Sequence, residues 1–214
     1  MRKVIIVTST ASKNSILKYA KVPLIGVENG IELIYKLNLP IALGIGDFDT
    51  LDYQTALQYL KKTQIVRLNK DKEISDTEGA VNYMEKLGFD EMIVLASLKG
   101  RYDITHNLLL LTKKYPNCKV SIEDDTSIVT YLKKGSHLIQ KQDYRFLGFF
   151  GFPEAVISID NSLYRAKKMK INFTDSKVIS NDILDRVVDV EVHSGGVLLI
   201  QSKEDNPRRW SEWG

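Results

Sequence analysis

Ile41-Ala42-Leu43-Gly44-Ile45-Gly46-Asp47-Phe48-Asp49-Thr50 is the stretch on which the fold turns. Its apolar half is too short for a helix and reads as a buried strand. Its second half delivers two acids into a turn opened by Gly46. Runs of the same kind stand on either side, at Val4 to Thr8, Leu24 to Val27, Ile65 to Leu68, Met92 to Ala96 and Val120 to Ile122. Between them, residues at helical spacing alternate with the runs: Ile31, Ile34 and Leu37, then Ala56, Leu57 and Leu60, then Ala80, Tyr83, Met84 and Leu87, with Gly88 following as a C-cap. Alternation of short apolar runs with helical segments predicts a Rossmann-like α/β domain with a parallel sheet.

The period changes after about Asp125. Ile128 to Tyr131, His137 to Ile139, Phe146 to Phe152, Val156 to Ile159, Met169 to Phe173, Val187 to Val192 and Val197 to Ile200 are short runs separated by turn residues. That pattern predicts a β-rich second domain of sandwich or barrel type. The expected organisation is an α/β domain over 1–125, a β-rich domain over 126–205 and a polar tail over 206–214.

With 214 residues, 43% hydrophobic and 27% charged, the chain has the composition of an ordinary globular protein. A net charge of +3, spread over 30 basic and 27 acidic residues, argues against a nucleic-acid or anionic-membrane partner. The lone Cys118 excludes an internal disulfide and a cysteine-based zinc site, which fits a reducing compartment and makes the cytoplasm the expected location. No stretch approaches the ~20 apolar residues of a membrane span, and the run near Met1 is too short for a secretory signal.

Chemistry-bearing residues gather where strands of the first domain end, the edge at which open α/β sheets bind ligands. Asp47 and Asp49 can converge on a divalent cation in the turn after Gly46, although a solvated turn explains them equally. After Ile65 to Leu68 come Asn69, Lys70, Asp71, Lys72 and then Ser75-Asp76-Thr77-Glu78. Ser75 and Glu78 read as a capping box and Asp76 as a dipole partner, at a helix start that would also attract phosphate. After Met92 to Ala96 comes Ser97-Leu98-Lys99-Gly100-Arg101-Tyr102-Asp103, with Asn107 on the helix beyond. Arg101 offers a planar fork for phosphate oxygens, and Asp103 by itself reads as a helix N-cap. Acids and cations crowded on one sheet edge are what phosphoryl transfer asks for. His106, His137 and His193 read as exposed, packed or edge histidines, and Lys167-Lys168 and Arg208-Arg209 as solvated charge.

At these positions the chain resembles the thiamin pyrophosphokinases. The resemblance rests on Gly46-Asp47-Phe48-Asp49-Thr50, on Asp71-Lys72 with Ser75-Asp76-x-Glu78, on Gly100-Arg101-x-Asp103 with Asn107, and on Ser180-Asn181-Asp182, where the family usually reads Ser-Asn-Glu. It runs in order from about residue 4 to 202. Departures stand beside it. Lys99 replaces a glycine, Ile104 takes a histidine position, Asn107 arrives about one residue early, and Glu28-Asn29-Gly30 stands where the family tends toward Ala-Asp-Gly-Gly.

The resemblance implies transfer of the pyrophosphoryl group of ATP to the thiamin hydroxyl, giving thiamin diphosphate and AMP, by a magnesium-dependent homodimer with sites between subunits. It implies Asp47, Asp49, Asp71 and Asp76 for the metal and reacting phosphates, Lys72, Arg101, Asp103 and Asn107 for ATP, and Ser180 and Asn181 for thiamin. Two other readings compete. One is a haloacid-dehalogenase-type phosphatase, against which count Leu51 at a position wanting threonine or valine and an Asp-x-Asp after the third strand rather than the first. The other is a non-catalytic nucleotide sensor, supported by Lys99 and Ile104.

Overall fold

The computed structural model describes residues 2–61, 63–70 and 73–204. Asp71, Lys72 and the 206–214 tail lie outside the described residues. Contacts divide the chain into two compact units, one ending at Asp125 and the other beginning at Thr126.

The first unit alternates strand and helix throughout: β1 (Lys3–Val7), α1 (Lys13–Lys18), β2 (Leu24–Val27), α2 (Gly30–Lys36), β3 (Leu43–Gly46), α3 (Tyr53–Leu60), β4 (Ile65–Arg67), α4 (Asp76–Lys86), β5 (Glu91–Leu95), α5 (Tyr102–Lys114) and β6 (Lys119–Glu123). All strand pairs are parallel, in the order β6-β5-β1-β2-β3-β4. The chain marches outward from β1 to β4 and then returns to β1's other side for β5 and β6. The order therefore reverses between β1 and β5, and a crevice opens there at the carboxyl ends of the strands.

Helices cover both faces, which is why the strands read as unbroken apolar runs. Val4 and Ile6 pack with Ala80 and Met84 of α4 and Leu108 and Leu111 of α5. Ile5 and Val7 face the other way, onto Ile16 of α1 and Ile34 of α2. The six-residue α1 carries too little apolar pattern to be read from sequence; Ser12 starts it by accepting from the Ser15 N–H at 3.0 Å. Gly88 follows the C-cap Leu87 of α4, and its N–H donates to the Glu85 carbonyl.

Two helix starts differ from expectation. The Ser75 hydroxyl accepts from the Glu78 N–H at 3.2 Å, so half of the capping box forms. The Glu78 carboxylate does not return to Ser75; it is buried and bound to Lys114 and to the Tyr115 hydroxyl, tying α4 to the end of α5. Burial, with the Glu78 charge, pushes the Tyr115 phenol above its ordinary value. At α5 the cap position belongs to Arg101, and Asp103 sits within the first turn.

The second unit is antiparallel: β7 (Ser127–Leu132), β8 (Gly135–Gln140), β9 (Phe146–Asp160), β10 (Ala166–Asn172), β11 (Asn181–Asp182) and β12 (Val187–Ser202). The sequence pattern predicts separate runs at Phe146 to Phe152 and Val156 to Ile159, and again at Val187 to Val192 and Val197 to Ile200. Each couple is one long strand, β9 of 15 residues and β12 of 16. Pro153-Glu154 and Ser194-Gly195-Gly196 interrupt the apolar alternation without ending the pairing. Register shifts between Val192 and Ser194 and between Gly195 and Val197 absorb the irregularity. On its other edge β12 pairs with β8 before the shifts and with β7 after them. The core of this unit gathers Leu147, Phe149, Ile157, Val190 and Leu199.

Candidate active site

The parallel sheet sends its loops out at one edge, and the loop after β3 is tightly constrained. Gly46 ends the strand, and a Cβ there would stand 1.9 Å from the Glu28 Oε1. That close approach is possible only for glycine. Glu28 comes directly after β2, in the left-handed region at φ 49. Its Oε1 accepts the Phe48 N–H at 2.6 Å and its Oε2 the Leu51 N–H at 3.1 Å. Phe48, also left-handed at φ 60, turns its ring inward, edge-on to Tyr53 at 5.3 Å. Leu51 is buried in the same cluster, which leaves Asp47 on the cleft side of a loop anchored from within.

Asp76 enters from the first turn of α4. Carboxylate oxygens of Glu28, Asp47 and Asp76 all lie within 4.8 Å of one another. Burial pushes the Glu28 carboxyl above its ordinary value; the Leu51 and Phe48 amides oppose this, and the neighbouring Asp76 and Asp47 add to it. Three carboxylates so close repel one another unless a cation or a proton intervenes. An all-oxygen donor set of this kind suits a hard divalent ion, and the residues present fit magnesium.

Beside this group lies a pocket of about 390 Å³ at the β1/β5 reversal, lined among others by Thr8, Thr10, Thr77, Asp103, Ile104 and Asn107. Hydroxyls tie its two walls. The Thr8 Oγ1 donates to the Leu95 carbonyl at 2.9 Å, and the Thr10 Oγ1 accepts the Ser97 N–H at 3.0 Å. Arg101 and Asp103 form an exposed ion pair at the pocket mouth, and hydrogen bonding to Arg101 holds the Asp103 carboxyl below its usual value.

Of the predicted residues, Asp47 and Asp76 come together. Asp49 does not join them: it is exposed, and its carboxylate accepts the Thr50 hydroxyl at 2.8 Å. Asp103 and Asn107 line the pocket, while Arg101 stays largely in solvent. In the second unit Ser180 is exposed at φ 52. Asn181 is fully buried; its Oδ1 accepts the Tyr164 N–H at 2.8 Å, and its Nδ2 donates to the Tyr164 carbonyl at 2.9 Å and the Ser162 hydroxyl at 3.1 Å. The Asn181 carboxamide thus clamps the loop before β10. His193 accepts or donates at the Ser158 hydroxyl, 2.8 Å away, within the β12 irregularity. Sequence reasoning missed Glu28, Thr8 and Thr10. Glu28 carried a usable signal, since it ends an apolar run as Asp47 does.

A family model for the catalytic domain of thiamin pyrophosphokinase matches residues 15–122, half of the chain. No curated protein sequence matches. The fold is similar to that of a thiamine pyrophosphokinase from Bacillus subtilis, 18% identical, over 95% of this chain and 100% of that one, with a TM-score of 0.84. It is similar also to one from Geobacillus thermodenitrificans, 17% identical over 95% and 99% at 0.81, and to one from Candida albicans, 15% identical over 94% and 90% at 0.71. The structural likeness carries the fold and the matched catalytic domain carries the family: the chain belongs to the thiamin pyrophosphokinase family, ATP-dependent transferases that make thiamin diphosphate.

Proposed function

We propose that pyrophosphoryl transfer takes place at the carboxyl edge of the first unit's sheet, in the cleft between the Asp47 loop and the start of α5. The observation that carries this reading is the convergence of Asp47 and Asp76 beside the pocket at the β1/β5 reversal, inside the segment matched by the catalytic-domain model. The thiamin hydroxyl oxygen forms a bond to the β-phosphorus of ATP. The bond from that phosphorus to the α–β bridging oxygen breaks, AMP departs with the bridging oxygen, and a carboxylate of the cleft takes the hydroxyl proton. Asp47, Asp49, Asp71 and Asp76 serve the metal and the reacting phosphates; Lys72, Arg101, Asp103 and Asn107 place ATP. Magnesium, when bound, neutralises phosphate charge.

In this reading residues 1–125 are a Rossmann-like catalytic and ATP-binding domain, and residues 126–205 a sandwich- or barrel-like domain that supplies the thiamin wall. Ser180 and Asn181 serve thiamin, Ser180 from an exposed position and Asn181 while holding Ser162 and Tyr164 of the loop before β10. The enzyme works as a cytoplasmic homodimer with sites shared between subunits. A buried Cys118 is in keeping with a reducing compartment, and among the described residues no helix is long and apolar enough to cross a membrane. The phosphatase and sensor readings are not favoured by the family.

The test is product analysis with thiamin, ATP and magnesium. Thiamin diphosphate and AMP should appear in equal amounts and stop on chelation of the metal. ADP with thiamin monophosphate, or phosphate release independent of thiamin, would contradict the reading.

A further inference from the structure

Glu28 stands among the cleft carboxylates, yet its two oxygens point at the backbone of another loop. The Phe48 and Leu51 N–H groups it receives bracket the turn that carries Asp47. Its own N–H donates to the Ile45 carbonyl at 3.1 Å, and its carbonyl receives the Ile31 N–H at 2.9 Å, so the residue is fixed between β3 and α2 before its side chain reaches out. Gly46 leaves the space through which that side chain passes. Buried and left-handed, Glu28 is poorly explained as a solvated turn residue.

We propose that Glu28 is a positioning residue: its carboxylate staples the β3–α3 loop through the Phe48 and Leu51 amides and so holds Asp47 in its working place. The inference rests on the reading of this cleft as the site of pyrophosphoryl transfer. Both carboxylate oxygens are needed. Glutamine keeps the length but presents one NH2 group toward a backbone N–H, donor against donor, and one end of the staple is lost. Aspartate keeps the charge but is one methylene shorter and cannot span both amides. A role confined to supplying negative charge near a metal predicts instead that aspartate, which keeps the charge, retains most of the activity while glutamine does not.

The experiment uses the full chain in three forms, wild type, Glu28→Gln and Glu28→Asp, with hydrogen exchange read at individual amides and kinetics over a range of magnesium concentrations up to saturation. The staple predicts that the Phe48 and Leu51 amides exchange at least about tenfold faster in Glu28→Gln, while amides of β1 and β5 keep their protection. It predicts a kcat lower by about tenfold to a hundredfold in both variants, with the thiamin KM within about twofold of wild type, since the displaced group acts on the phosphates. Wild-type kcat in folded Glu28→Gln would overturn the proposal. So would unchanged protection at Phe48 and Leu51 with activity recovered by excess magnesium, which would make Glu28 a metal ligand. If the wild-type protein forms no thiamin diphosphate, the functional reading fails, and the exchange of these two amides still decides whether the staple exists.

Discussion

Two loops leave the same edge of the first unit's sheet and are built in opposite ways. The β3–α3 loop is anchored from beneath by Phe48, Leu51 and the Glu28 carboxylate, and Asp47 within it is 7% exposed. The β5–α5 loop is tied at Ser97 and Leu98 and stands open beyond them. Nothing lies within 4 Å of where a Cβ on Gly100 would be, Tyr102 is 81% exposed, and Arg101 and Asp103 answer each other in solvent. Anionic groups that act on a transferring group gain most from being fixed in advance, because no reorganisation is then left for the reaction itself. Cations that gather a flexible triphosphate can sit on a loop that adjusts to it.

Glycine substitutions in the two loops should separate their roles. Gly46→Ala forces a methyl into the Glu28 carboxylate and should cost about a hundredfold in kcat, with about 1–3 kcal/mol of stability lost to overpacking. An equally active Gly46→Ala enzyme would show that the loop is not held as described. Arg101→Ala should act on ATP instead, raising its KM about tenfold with kcat little changed, and should let the Asp103 carboxyl return toward its ordinary value. Steady-state kinetics and the chemical shift of Asp103 against pH read the two effects separately. Gly100→Ala meets no atom, so only its φ of +96 opposes the change; about 1 kcal/mol of stability and an activity within a few-fold of wild type are expected. Smallest in activity is Glu78→Ala, which removes the link from α4 to Lys114 and Tyr115. Lys114 is more than half exposed, so calorimetry should show a loss of about 1 kcal/mol with turnover unchanged.

Apart from the short α1, the first unit's elements were legible because the strands inside the sheet are buried on both faces and each longer helix keeps a one-sided apolar stripe, so pattern and environment agree. The second unit was legible as β-rich but not in its strand count. Pro153 and the Ser194-Gly195-Gly196 stretch look like turns, and only the neighbouring strands show that pairing continues through them. At the site, Asp47 and Asp76 could be chosen because acids follow strands or open a helix there. Glu28 ends an apolar run as Asp47 does, which marks it as a candidate, but its role was not legible, since that lies in two amides twenty and twenty-three positions away. Asn181 shows the converse: a motif position that sequence assigns to ligand is occupied by local hydrogen bonds.

Asp47, anchored in the β3–α3 loop, serves the transfer itself rather than the capture of ATP in this reading. ATP affinity and the single-turnover rate of thiamin diphosphate formation, measured in the same preparation of Asp47→Asn, separate the two roles. ATP affinity should stay within about tenfold of wild type while the transfer rate falls by about a thousandfold. A transfer rate near that of wild type, at any ATP affinity, would contradict it.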